Sequence, residues 1–255
     1  MSVAASVMSY GRTLADLLYP PACLLCGVHL NSSIAPLCDV CEAAMPRIGL
    51  PRCERCGMEL PGAYDAHVIC TACQRHPPSF DQACAPFAYA EAAREAIHAF
   101  KYQGRHRLGS WLAASMAQAA QRALPLDQIK AVVPVPLHWV KRRLRRLDPP
   151  VFLAHAMARA LERPYVPLLR RIRWTATQTT LNPSGRIRNV EGAFGARSSR
   201  RLSGGVLLVD DVMTSGATVN ACAQALRDVG IQPVYVVTAA RTPTNQKAGE
   251  GLRRP

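Results

Sequence analysis

Two adjacent carboxylates and a turn rich in hydroxyls follow one another near the carboxyl end of this 255-residue chain. Asp210 and Asp211 come directly after four apolar residues (206–209), and the turn at 213–218 leads into a helix-like run. Hydroxyls, backbone N–H groups and the start of a helix together favour the binding of a phosphate. Carboxylates suit the hydroxyls of a sugar, directly or through a divalent cation. The combination predicts a site for a phosphorylated sugar such as ribose 5-phosphate.

The element that positions these residues is predicted to be a buried strand. Residues 206–209 have no polar face, which is typical of a strand in a parallel sheet that is covered on both sides. Ligands of open α/β sheets bind outside the carboxyl ends of the strands, and Gly216 allows the backbone to bend there. The alternative is a buried strand followed by a capped helix, in which Asp210 and Asp211 serve only as caps.

The same string resembles the motif with which type I phosphoribosyltransferases bind phosphoribosyl pyrophosphate (PRPP). The resemblance implies that Asp210 and Asp211 contact the 2- and 3-hydroxyls of the ribose. It also implies a turn that wraps the 5-phosphate and consists of Met213, Thr214, Ser215, Gly216, Ala217 and Thr218.

Eight of the ten cysteines form four pairs, with two residues between the partners. The pairs are Cys23/Cys26, Cys38/Cys41, Cys53/Cys56 and Cys70/Cys73. A pair at this spacing can chelate a metal ion from a tight turn, and two pairs complete a tetrahedral Cys₄ site. Gly27 and Gly57 each follow a pair directly and supply the permissive backbone of such a turn. The pattern predicts one or two zinc ions with a structural role, because a small region with few apolar runs needs such a staple.

Other interpretations of the cysteines are disulfides, a redox pair or an iron–sulfur cluster. Disulfides need an oxidising compartment, and the even pairing favours zinc ribbons over an iron–sulfur cluster. Sequential pairing would group the first four and the last four paired cysteines, while interleaved pairing stays open. Cys84 and Cys222 have no partner pattern and are predicted to be small core residues.

Positive charge is concentrated in the second part of the chain. Residues 1–85 hold five Arg against seven Asp and Glu (net −2), whereas residues 86–255 hold 26 Lys and Arg against ten Asp and Glu (net +16). Such a surplus is typical of a protein that binds a polyanion such as nucleic acid, and Trp139 and Trp174 could stack on unpaired bases. The candidate nucleic-acid contacts are Lys141, Arg142, Arg143, Arg145 and Arg146. The alternative is a basic surface without a partner.

Helix-like and strand-like segments alternate in the second half, which predicts an α/β fold. Helices are expected at 94–100, 111–123, 151–161 and after the turn, and Asp148 can cap the third. Strands are expected at 129–135, 205–209 and 234–239, and the loop at 175–189 is expected to be mobile.

These features divide the chain into four predicted parts. They are an N-terminal helical segment (1–20), a double zinc ribbon (21–85), a type I phosphoribosyltransferase-like domain with a parallel sheet flanked by helices (86–241), and a disordered tail (242–255). No stretch approaches the roughly 20 apolar residues of a membrane span, and the N-terminus lacks the pattern of a signal peptide. We therefore expect a cytoplasmic protein without membrane insertion.

From about residue 17 to 241, the chain resembles the ComF family of competence-associated proteins, which includes relatives linked to the use of external DNA as a nutrient. The family joins an N-terminal double zinc ribbon to a phosphoribosyltransferase-like domain. Beyond the PRPP motif, the matching pieces are the segments 134–138 and 178–194, and Phe100-Lys101-Tyr102 with Gly104.

The resemblance implies roles for two of these pieces. Pro134 and Val135 would lie where related transferases grip pyrophosphate. Arg186, in a loop that covers the reacting centre, would meet the leaving pyrophosphate and complete a candidate catalytic set with Asp210 and Asp211. The chain departs from the family at 146–150, where it reads Arg-Leu-Asp-Pro-Pro instead of the usual Arg-Gly-Phe-Asn-Gln. The missing amides bear on the recognition of an acceptor.

The predicted function is the binding of PRPP with Mg²⁺, and of single-stranded DNA, during natural transformation or the use of external DNA. Competence partners such as a helicase or a recombination mediator are implied only by the resemblance. One alternative is a phosphoribosyltransferase of nucleobase or nucleotide salvage. Another is a zinc-ribbon DNA-binding adaptor with a vestigial pocket.

Overall fold

The computed structural model describes residues 20–32, 34–62, 68–137, 147–173, 192–198 and 204–243. Its elements in chain order are α1 (Asp39–Ala43), α2 (Thr71–Arg75), β1 (Gln82–Cys84), β2 (Phe87–Ala88), α3 (Glu91–Tyr102), α4 (His106–Ala123), β3 (Ile129–Pro134), α5 (Pro149–Ala160), β4 (Leu169–Arg171), β5 (Phe194–Ala196), β6 (Gly205–Met213), α6 (Ala217–Arg227) and β7 (Val234–Arg241).

The central sheet has the strand order β1–β7–β6–β3, and β2 pairs with β7 beyond β1. All of these pairings are parallel. Strands β4 and β5 form a separate antiparallel pair. Because the central strands are parallel, their carboxyl ends meet at one edge of the sheet, which is where a ligand of such a sheet is expected.

Both faces of the sheet are covered. Successive side chains of a strand point to opposite sides, and alternate residues of β6 pack into two different cores. Leu207 and Val209 of β6 belong to a core that also contains buried residues of α3, α4 and α5. Val206 and Leu208 belong to a second core, which contains the buried face of α6. The predicted fold class, an α/β sheet flanked by helices and preceded by a cysteine-rich region, is confirmed.

The predicted helix that follows Asp148 shows how local chemistry sets an element boundary. Asp148 is the N-cap of α5, and its carboxylate accepts a hydrogen bond from the Val151 N–H at 3.4 Å. Pro149 and Pro150 occupy the first helical positions, where a missing N–H costs nothing. Helices α3 and α4 are each longer than expected, since they begin at Glu91 and His106.

Two differences from the expected strands have a tertiary cause. Strand β6 continues past Val209 through the acid pair to Met213, because β7 offers partners as far as Arg241. The short strands β1 and β2 are not expected from the sequence, because these few residues form strands only by pairing with the fully buried β7. The division of the chain into domains stays a prediction. Strand β1 precedes the expected boundary at 85/86.

Candidate functional site

The predicted cradle lies at the carboxyl edge of the sheet, between the end of β6 and the start of α6. Gly216 is the N-cap of α6 and has a left-handed backbone with φ of +79°. This conformation favours glycine and closes the turn tightly enough for an 11-residue helix to start at once. The structure thereby confirms the predicted order of strand, turn and helix.

One cavity opens at this turn. It is lined by Asp210, Val212, Met213, Thr214, Ser215, Gly216, Ala217, Thr218 and Val219. The first backbone N–H groups of a helix have no intrahelical acceptor, and together with the positive end of the helix dipole they favour an anion. The Ala217 N–H contacts the Ser215 hydroxyl at 3.4 Å, which orders the turn without a bulky side chain. The residues that sequence reasoning assigned to the 5-phosphate are therefore brought together.

The two acids of the pair have different environments. Asp210 is only 9% exposed and accepts the backbone N–H of Asp211 at 2.8 Å. Burial raises the pKa of Asp210 to about 8, and the nearby negative charges of Asp211 and Asp148 raise it further. The hydrogen bond from the Asp211 N–H and the charge of Lys101 lower it and offset part of this effect. Asp211 instead forms an ion pair with Lys101, with 2.7 Å between Nζ and Oδ1.

Lys101 is a residue that sequence reasoning did not place in the site. It lies in the last turn of α3 and reaches the end of β6, where its side chain is 16% exposed. Burial lowers the pKa of Lys101, but the charge and hydrogen bond of Asp211, assisted by Asp210 and Tyr89, outweigh that effect and leave the pKa raised. The motif Phe100-Lys101-Tyr102 with Gly104 was the available signal, although it gave no role.

Pro134 and Val135 lie beside the acid pair, because Pro134 is the register partner of Val209. Proline has no N–H, and the Val135 N–H is donated to the Val209 carbonyl at 2.9 Å. These two residues therefore have no backbone donor for a phosphate. Their assignment to pyrophosphate stays a prediction, and any amide contact there would have to come from Leu137 onward.

The eight paired cysteines form two groups of four, which decides the open question of pairing in favour of the sequential arrangement. The first tetrad is Cys23, Cys26, Cys38 and Cys41; the second is Cys53, Cys56, Cys70 and Cys73. All ligand atoms of a tetrad lie within 4.8 Å of one another.

The sulfur spacing within each tetrad fits a tetrahedral ion. The distance is 3.6 Å between the sulfurs of Cys26 and Cys38, and 3.8 Å between those of Cys56 and Cys70. Four sulfurs at about 2.3 Å from one zinc lie about 3.8 Å apart. The donor set and its spacing therefore fit structural zinc.

The two tetrads repeat one local design. Gly27 and Gly57 have φ of +77° and +66°, and each donates its N–H to the carbonyl of the cysteine four residues earlier. The second pair of each tetrad begins at the N-cap of a short helix, Cys38 for α1 and Cys70 for α2. The backbone thus holds both pairs of thiols before any side-chain packing is considered.

The electrostatics of the second tetrad are consistent with a bound cation. A hydrogen bond from Cys56 lowers the pKa of Cys53 to about 4, and the Cys70 N–H acts in the same direction. Burial of Cys53 opposes both effects. The Cys53 thiolate and burial raise the pKa of Cys56, which Arg241 partly opposes, and burial raises the pKa of Cys73 to about 12. Several thiolates cannot coexist at such distances without a compensating charge, which a divalent zinc would supply.

The second tetrad is also built into the sheet domain. A Cβ on Gly57 would lie 2.5 Å from the carbonyl oxygen of Ala83 in β1, so only glycine allows this close approach. Arg241, at the end of β7, is 9% exposed, and its Nε and Nη1 have no hydrogen-bond partner among the described residues. Its positive charge acts on Cys56.

Several predicted residues lie outside the described residues. They are Arg186 and the basic run Lys141, Arg142, Arg143, Arg145 and Arg146, together with Trp139 and Trp174. The N-terminal segment up to residue 19, the loop 175–189 and the tail from 244 belong to the same group. Within the described ranges, no helix has both the length and the apolar character that a membrane crossing requires. Cys84 and Cys222 are buried, as predicted for core residues.

Comparison with known proteins agrees with this architecture. The family model described as a double zinc ribbon domain matches residues 14–74. Competence protein F of Haemophilus influenzae is 30% identical over 229 residues, which cover 86% of this chain and 96% of that protein. The DNA utilization protein YhgH of Escherichia coli K12 is 32% identical over 232 residues, with 89% and 99% covered.

Two more distant similarities complete the comparison. Competence protein ComFC of Bacillus subtilis is 22% identical over 226 residues, which cover 82% of this chain and 89% of that protein. Among solved structures, glutamine PRPP amidotransferase from B. subtilis aligns with a TM-score of 0.36 and 22% identity, over 51% of this chain and 26% of that chain.

The fold and the two tetrads define a class of protein in which a double zinc ribbon precedes an α/β domain with a parallel sheet. The Haemophilus relative matches over nearly its whole length at 30% identity. The chain belongs to the competence protein F (ComF) family, and the resemblance found from the sequence motifs is confirmed.

Proposed function

We propose that this protein binds PRPP together with Mg²⁺ at the carboxyl edge of its sheet. The observation that carries the proposal is the cavity in which the turn 213–218 and the start of α6 adjoin Asp210. The 5-phosphate would lie in the turn, and the carboxylates of Asp210 and Asp211 would bind the ribose hydroxyls. A turn that served only as a helix cap would not need two adjacent acids near the carboxyl end of the preceding strand.

Mg²⁺ fits the chemistry of this edge, because carboxylate and hydroxyl oxygens are the ligands that it prefers. Bound with PRPP, it would offset the negative charge of the diphosphate. The chain's own contribution is to hold the 5-phosphate through N–H groups and hydroxyls, and to orient the ribose through its hydroxyls.

Isothermal titration with PRPP and Mg²⁺ tests this proposal. We expect wild-type binding that Asp211→Asn weakens at least tenfold, because a hydrogen bond to a charged group contributes about 1.5–3 kcal/mol. Asp228→Asn is a matched control, since Asp228 is an exposed carboxylate at the far end of α6. No wild-type binding, or equal binding by both variants, would refute the proposal.

We further propose that the protein binds single-stranded DNA in natural transformation or in the use of external DNA. The support is the net charge of +16 in residues 86–255 and the names of the relatives, which refer to competence and DNA utilization. Replacing the cations of the run 141–146 by glutamine should weaken oligonucleotide binding. It should also flatten the salt dependence by about 0.7 in log–log slope for each phosphate that the protein no longer neutralises. An unchanged slope in fluorescence anisotropy would contradict this assignment.

Phosphoribosyl transfer to a salvage base or nucleotide is the second candidate. The cavity and acid pair could hold the PRPP of such a reaction. However, the segment in which the family usually carries two amides here starts α5, with Asp148 as its cap. The Asp148 carboxylate raises the pKa of Asp210, so it lies near the site. A screen for pyrophosphate release with candidate bases and DNA strands separates the two candidates, and release with a base would favour the transferase.

A further inference from the structure

We propose that Lys101 is a positioning residue of the ribose subsite: it holds the Asp211 carboxylate in the orientation that binds the sugar hydroxyls. The inference deepens the proposed PRPP site and rests on it. It assigns a specific task to a residue that lies 110 positions away from its partner in the chain.

The contact between the two residues is short and largely shielded from water. The distance from Lys101 Nζ to Asp211 Oδ1 is 2.7 Å, and the two side chains are 16% and 13% exposed. An ion pair in such surroundings is screened less than one at the surface. Removal of one partner would leave the other charge buried and uncompensated.

The helix that carries Lys101 is firmly anchored. Phe100, the preceding residue, is fully buried, and its ring packs against that of Phe152 in α5 with 5.3 Å between the centroids. A Cβ on Gly109 in α4 would lie 2.3 Å from the Phe100 ring, so α3 and α4 approach closely at this point. The position of Lys101 is therefore set by the core and does not depend on the ligand.

The acids of the pair are oriented by different partners. Asp210 accepts the backbone N–H of Asp211 at 2.8 Å, while Asp211 engages Lys101 through Oδ1. Lys101 thus leaves Oδ2 of Asp211 as the oxygen for a sugar hydroxyl. Without Lys101, the Asp211 carboxylate would lose the ion pair that fixes its rotation.

The site also needs the charge of Lys101. The charges of Asp211 and Asp148 both act on Asp210 at this edge, and Lys101 is a cation that interacts with both members of the pair. PRPP would add further negative charge. Lys101 would offset part of this charge, because it is paired directly with Asp211.

The test compares Lys101→Met and Lys101→Arg with wild type by isothermal titration with three probes. They are PRPP with Mg²⁺, ribose 5-phosphate with Mg²⁺, and inorganic phosphate. The control is Arg227→Met, which removes another ion pair of 2.7 Å, between Arg227 and Asp81. Asp81 accepts the N–H of Val234 at the start of β7, so this pair lies at the opposite edge of the sheet.

We expect Lys101→Met to weaken PRPP and ribose 5-phosphate by a similar factor, about ten- to a hundredfold, because both carry the hydroxyls that Asp211 would bind. Inorganic phosphate needs only the turn, so its affinity should not change. Lys101→Arg should recover part of the affinity, and Arg227→Met should bind all three probes as wild type does.

Three results for the Lys101→Met variant, and one for the wild type, would overturn the assignment of Lys101. Unchanged affinities in Lys101→Met would show that it has no role, and an equal decrease for all three probes would show general damage to the edge. A decrease for PRPP alone would show that Lys101 contacts the diphosphate and does not act through Asp211. A wild type that binds none of the probes would overturn both this inference and the proposed function.

Discussion

Replacement of Asp210 by asparagine should stabilise the protein while it weakens the binding of PRPP. Asp210 lies in a buried position whose main hydrogen bond is the Asp211 N–H, and an asparagine carbonyl can accept that bond as well. Because burial disfavours the charged form, the carboxylate is unfavourable for folding, and the proposed ligand would explain its presence.

The magnitude follows from the pKa of Asp210, which burial raises from 3.8 to about 8. Below pH 3.8 the carboxyl is protonated in both the folded and unfolded states, so it costs nothing. Between pH 3.8 and 8 the unfolded state ionises first, and the free energy of unfolding falls as pH rises. The ionisation of Asp210 therefore lowers the free energy of unfolding at pH 7 by at most about 4 kcal/mol. This bound is the difference between pH 7 and the unfolded-state pKa of 3.8, taken at 1.36 kcal/mol for each pH unit.

Urea unfolding of the zinc-loaded protein at pH 5, 6, 7 and 8 measures this effect. We expect the stability gain of Asp210→Asn to be smallest at pH 5 and largest at pH 8, on the order of 1–4 kcal/mol at pH 7. Asp228→Asn, which changes an exposed carboxylate, should show no such trend. A gain that is absent at pH 8, or that is equal at pH 5 and pH 8, would refute the reasoning.

Further predictions concern the metal sites and the turn. Cys53→Ser should lower zinc content from two ions to one in elemental analysis and should destabilise the sheet domain more than Cys26→Ser, because Cys53 is buried in a core that includes sheet residues whereas Cys26 is exposed. In the Arg241→Met variant, a chelator should remove zinc from the second tetrad several-fold faster than in wild type, because the Arg241 charge acts on Cys56. Zinc loss from the first tetrad serves as the internal reference, and unchanged rates at both tetrads would contradict a role for the Arg241 charge. Gly216→Ala should cost about 1–2 kcal/mol of unfolding free energy and also weaken PRPP, since a Cβ is strained at φ of +79°. Gly230→Ala, at φ of +81° with open space around it, should show the same decrease in stability with PRPP affinity unchanged.

Local patterns were sufficient for much of the site. The apolar run before Asp210 and the turn around Gly216 act over a few residues, so strand, turn and helix could be placed in order from their types alone. The cap of α5 at Asp148 was predictable for the same reason. The carboxyl end of β6 was not, because it depends on how far β7 runs alongside it, whereas its start at Gly205 was predicted.

What the sequence determined by itself is the inventory of the site and its local geometry: two acids on a buried strand, a glycine turn into a helix, and four chelating pairs of cysteines. Only the tertiary structure decided that the cysteines group sequentially, that Lys101 meets Asp211, and that Arg241 is buried where its charge acts on Cys56. The physical reason is that the first set depends on hydrogen bonds and backbone angles within a few residues. The second set depends on where the packing of helices and ribbons against the sheet brings distant side chains.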